Sequence, residues 1–103
     1  MAVQKDLRKE VLKVRIRRDL TVDNEIVNVR KANKDEVEWH TEEVPIRITF
    51  DPEAKPFQQA TFDVTPGQPV RSGPAVGGVG DYNYYISSEA LAMSADPGVS
   101  VRE

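Results

Sequence analysis

The chain has 103 residues, a net charge of −3, no cysteine and a single histidine, His40. That length fits one domain with one core. Without cysteine there are no disulfides, thiolate nucleophiles, zinc–thiolate sites, iron–sulfur clusters or thiolate-held copper. No apolar run reaches the roughly 18 residues of a membrane span. The start, MAVQKDLRKEV, has charge but no apolar h-region, so no signal peptide is expected in it.

Charge is unevenly distributed. Residues 1–43 hold ten Lys/Arg against ten Asp/Glu, and residues 44–103 hold four against seven. Nucleic-acid binding draws its affinity from phosphate neutralisation, so an acidic total argues against it. The one basic cluster, Lys13, Arg15, Arg17 and Arg18, largely alternates with Leu12, Val14 and Ile16. It reads as the wet face of a strand, with a stripe for an anionic partner as the functional alternative.

In chain order, residues 1–10 read as a loose or short helical leader, and 11–103 as a single β-sandwich domain. VLKVRIR (11–17) is the first strand. DLTVDN follows as a turn with one apolar dip. EIVNVRK (25–31) is a second strand, cut by the turn ANKDE. VEWHT (37–41) points Val37 and Trp39 inward and Glu38 and His40 outward. VPIRITF (44–50) sets Val44, Ile46, Ile48 and Phe50 at spacing two. After the turn DPEAKP, Phe57 plugs an end of the core, and ATFDVT (60–65) turns Phe62 and Val64 inward. Residues 66–81 hold five of the six glycines and three of the seven prolines, which marks loop. YNYYIS (82–87) places Tyr82, Tyr84 and Ile86 on one face and Tyr85 on the other. ALAMSADPG reads as a helical turn or loop, and VSV (99–101) as the last strand. About seven short strands with regular turn signals predict an all-β, antiparallel Greek-key sandwich or barrel.

Motifs for chemistry are sparse. GPAVGGVG (73–80) lacks the following helix and the Lys-Ser/Thr of a phosphate loop. Glu42 and Glu43 lie close to His40 in sequence and could join it, but one imidazole with them falls short of a tetrahedral ligand set. The carboxylate pairs Glu42/Glu43 and Asp35/Glu36 lie in turns, where solvation keeps them ordinary acids. No nucleophile motif is present. No enzymatic activity and no cofactor are expected.

Four passages together resemble the cupredoxin family, plastocyanin-like proteins above all. ANKDEVEW (32–39) is similar to the family's turn into a strand ending in an aromatic. VPIRITFDP (44–52) is similar to the strand that Pro-His opens and Phe-Asp closes. GDYNYYISSEALAM (80–93) is similar to the segment bearing the family's cysteine, second histidine and methionine, and DPGVSV to its closing strand. The resemblance puts the first ligand histidine on Ile46, the cysteine on Ile86, the second histidine on Glu89 and the axial methionine on Met93, one residue closer than usual. Blue copper needs two imidazoles and a thiolate. The resemblance therefore implies a cupredoxin-like scaffold without copper; a fibronectin-like or other small sandwich is the alternative. The module then serves protein interaction or a structural role, its partner is another protein or a second copy of the chain, and the candidate surface residues are Tyr85, Arg71 and His40. A competing reading is a metal-handling or redox-associated protein with a non-thiolate site built from His40, Glu89 and Met93. The family points to the periplasm or outside the cell if a signal is removed, and the visible start to the cytoplasm.

Overall fold

Eight strands and no helix make up the described part of the computed structural model, which covers residues 9–89 and 97–103. They are β1 (Val11–Ile16), β2 (Ile26–Arg30), β3 (Glu36–Thr41), β4 (Ile46–Phe50), β5 (Thr61–Val64), β6 (Val70–Arg71), β7 (Gly80–Ser87) and β8 (Gly98–Arg102). One sheet runs β1-β3-β6 and the other β2-β8-β7-β4-β5. Residues 1–8 of the leader and residues 90–96, with Met93, lie outside the described residues. Lys9 and Glu10, at the leader's end, are not helical.

Two features depart from expectation. An eighth strand, β6, lies in the stretch assigned to loop; two residues between Pro69 and Gly73 are too few to show alternation. The pairing is also not antiparallel throughout, because β1 runs parallel to β3 and β2 parallel to β8. Alternation sets which side chains face inward, but it carries no information on the direction of a distant partner strand.

Two of the chain's five crossings between the sheets are made at tight corners. After β1, Ile16 bridges Val22, the Arg15 amide donates to Asp23 Oδ1 (2.9 Å), and Asn24 Nδ2 donates to the Lys13 carbonyl (3.0 Å). Residues 22–24 thus lie along the edge of β1 before the chain joins β8 as β2. Two residues of this turn enter the core, Leu20 and Val22, where one had been expected. Leu20 does so in the left-handed region, at φ 69°, a strain of about 1–3 kcal/mol offset by its burial. At the second corner Thr65 bridges Gln68 through Gly67, whose φ of 79° suits a residue without Cβ. This turn carries the chain from β5 to β6.

The core follows the alternation. Val37, Trp39, Ile48, Phe50, Phe57, Val64 and Ile86 are wholly buried. Trp39 sits among four rings, with centroids 4.9 Å from Phe62, 5.8 Å from Tyr84, 6.1 Å from Phe50 and 6.2 Å from Phe57. Trp39 Nε1 and the Tyr84 hydroxyl are buried without a well-formed hydrogen bond; burial pushes the Tyr84 phenol up to about 12, with the nearby Trp39 indole N–H opposing the rise. An unpaired buried hydroxyl costs about 1–3 kcal/mol. We therefore expect Tyr84→Phe to match or exceed the parent in urea denaturation midpoint; a loss above about 1 kcal/mol would reveal a partner for that hydroxyl.

The glycine-rich loop is pinned rather than loose. The Val76 and Gly77 amides donate to the Pro56 carbonyl (2.8 and 3.0 Å), Lys31 Nζ to the Gly77 carbonyl (3.0 Å) and the Tyr82 hydroxyl to the Gly78 carbonyl (2.6 Å). A Cβ at Gly77 would lie 2.8 Å from both the Lys55 carbonyl and the Tyr82 hydroxyl. Close backbone approach explains the glycine there, and a β-strand follows this loop.

Candidate functional site

The positions that the cupredoxin resemblance assigns to copper ligands fall on β4, β7 and the segment after β7. Ile46 opens β4 with 4% of its surface exposed, and Ile86, on β7, is wholly buried opposite Ile48. Glu89 is exposed and joins Ile46, Arg47, Asp63, Ser87 and Ser88 in lining an open cavity of about 380 Å³. Across the mouth, Arg47 Nε donates to Asp63 Oδ1 at 2.7 Å. This hydrogen bond raises the Arg47 pKa and lowers that of Asp63, and both side chains are exposed, so solvent screens the pair. Two alkyl groups and one carboxylate do not fit copper, which takes imidazole and thiolate in such a site. Among the described residues no group of three or more His, Asp or Glu side chains is placed to hold a metal ion.

His40 lies elsewhere, on the outer face of the three-stranded sheet. Its Nε2 is 2.6 Å from Glu38 Oε1, and Arg71 Nε donates to Glu38 Oε2 at 2.9 Å. The register makes this cluster possible: Glu38 on β3 stands opposite Arg71 on β6 and Lys13 on β1, and His40 opposite Arg15. Side chains two apart on a strand share a face, so five charged or titratable groups occupy one patch. Glu38 points away from the core as the alternation predicts, yet it is only 12% exposed because its neighbours cover it. The Arg71 hydrogen bond holds its carboxyl below the usual glutamate range; burial opposes this, and His40 adds to the lowering.

Glu36, next on the same face, is 9% exposed and bonded to Lys9 Nζ (2.6 Å) and the Gly73 amide (3.1 Å). The buried Ser72 completes the seam: its Oγ accepts from the Val37 amide (2.9 Å) and its amide donates to the Val37 carbonyl (2.8 Å). These bonds prolong the two-residue β6 and hold Arg71 in place.

Of the three candidate surface residues, the structure thus brings Arg71 and His40 together through Glu38. Tyr85 is separate. It is 60% exposed on β7 in the five-stranded sheet, opposite Thr49. His40 is engaged with Glu38 and is not among the residues lining the cavity that holds Glu89. The hub, Glu38, was assigned only an outward face from the sequence, and nothing in the local pattern around Arg71 marks it as Glu38's partner.

No protein-family model matches this chain, and no curated protein matches it.

Proposed function

We propose that the chain is a non-enzymatic interaction module on a Greek-key, cupredoxin-like scaffold whose copper-ligand positions have been replaced. The observation that carries this reading is the preorganised patch on the three-stranded sheet, where Glu38 holds Arg71 and His40 in fixed positions on an exposed face. Rigid side chains lose little entropy on binding. Support for the replacement comes from Ile46 and Ile86, which pack into the core where ligands would be required. The metal-handling alternative needs His40 beside Glu89, and nothing in the arrangement of His40 favours it.

Calorimetric titration with copper and with zinc tests the reading. The expected result is no stoichiometric site at micromolar protein and metal. A one-to-one site, lost in Glu89→Gln or in His40→Ala, overturns it.

A further inference from the structure

Basic side chains dominate what the small sheet shows to solvent, although the protein as a whole is acidic. Arg15 and Arg71 have side chains 64% and 54% exposed, and Lys13 is exposed as well. The two carboxylates of the central strand, Glu36 and Glu38, are 9% and 12% exposed and lie beneath them. Acid is used inside the patch and base is displayed outside it.

The spacing is regular. Lys13 and Arg71 flank Glu38 from the two neighbouring strands, each about 4.8 Å away across the sheet. Arg15 and His40 form the next row, about 7 Å further along. Arg71 gives its Nε to Glu38, and its exposed guanidinium end remains a planar fork suited to a carboxylate. An extended peptide repeats its same-side groups at that same interval of about 7 Å.

We infer that this face docks an acidic, extended segment of a partner protein. The inference rests on the interaction-module reading and names the partner's chemistry. Carboxylates at alternate positions of such a segment reach Lys13 and Arg15 along β1 and the fork of Arg71 across the sheet. A protein is favoured over a nucleic acid by two observations. The chain carries a net charge of −3, which repels a long polyanion. Acidic groups also interrupt the patch: Glu42, 46% exposed, sits 3.9 Å from Arg15. A continuous phosphate backbone would meet that carboxylate, whereas a peptide can place a small or basic residue there.

The test is an amide chemical-shift titration of the whole chain with an alternating glutamate–serine decapeptide. Lysine–serine decapeptide and a short DNA duplex serve as comparison probes. The expected result is a saturable shift of amides 13, 15, 40 and 71 with the glutamate peptide alone. Affinity should fall about tenfold or more in the Lys13→Glu, Arg15→Glu double variant and decline as salt shortens the screening length. Lys13→Glu stands opposite Glu38 and Arg15→Glu beside Glu42, so this variant should melt somewhat below the parent. The Lys13→Gln, Arg15→Gln variant removes the charges without adding carboxylates and should lose affinity while keeping the parent's circular dichroism. Arg71→Lys supplies a third variant that keeps the charge but loses the fork, with weakening expected there too. No saturable shift with the glutamate peptide, or equal affinity in either double variant, overturns the inference. So does tighter binding of the duplex. Shifts of the same amides by the lysine peptide leave a docking face but refute the acidic partner. A stoichiometric copper site refutes the underlying reading independently of any peptide result.

Discussion

Trp39→Ala should cost about 3–5 kcal/mol and leave the chain largely unfolded at room temperature in moderate urea. The side chain is wholly buried and touches rings from three strands and from the loop after β4. Its removal loses transfer free energy and opens a cavity that Phe50, Phe57, Phe62 and Tyr84 cannot fill without leaving their mutual contacts. Tilted and edge-on pairs add about 0.5–1.5 kcal/mol each beyond area. Domains of this size have roughly 5–15 kcal/mol in total, so the loss is a large share. Urea denaturation followed by circular dichroism measures it, since the variant lacks the chain's one tryptophan. Trp39→Phe, which keeps an aromatic ring, should cost clearly less. Equal losses in the two variants would refute the cavity argument.

Asp35→Asn is the second large effect, expected at about 2–3 kcal/mol near neutral pH. The carboxylate is 1% exposed between β2 and β3. It accepts from the Glu10 amide (2.9 Å), the Arg30 amide (3.0 Å) and Arg30 Nε (2.8 Å). One side chain therefore ties the approach to β1, the end of β2 and the turn into β3. An amide in its place points a donor at donors, leaving buried N–H groups without an acceptor. Arg30 is 40% exposed, so water recovers part of the loss.

This prediction carries a pH signature. Burial raises the Asp35 pKa, but the Arg30 side chain and the backbone amides of Glu10 and Arg30 outweigh it, and the net shift is downward from 3.8. A carboxyl with a depressed folded pKa stabilises the fold fully above its unfolded value and loses that contribution as pH falls through the folded value. The gap between parent and Asp35→Asn should therefore be widest above about pH 5 and close progressively below 3.8. Glu38, Asp19 and Asp63 are also depressed, so the difference between the two proteins is the quantity to follow. A gap that does not change down to about pH 2 would refute this assignment.

Strand positions were legible because alternation is a local property. Ile46, Ile48 and Phe50 on β4, or Tyr84 and Ile86 on β7, declare their inner face within one short run. Trp39 as a core residue and Tyr85 as an exposed one follow from the same rule. The turn at ANKDE was equally visible, but the burial of Asp35 in it was not: an aspartate in a turn normally faces water, and only the convergence of Glu10 and Arg30 makes burial favourable. β6 has no pattern of its own to read, because its two residues are held by β3 and by Ser72.

The absence of cysteine and the single histidine, both read directly from composition, bound the chemistry before any coordinate is known. Side-chain periodicity then determined the all-β class and most of the buried set, since a two-residue repeat needs only neighbours in the chain. Tertiary structure alone decided which strands pair and in which direction, placing β1 parallel to β3 and β2 parallel to β8. It alone joined Arg71 to Glu38 across 33 positions of sequence. Cross-strand partners are chosen by register among distant segments, and that choice depends on how the whole core closes.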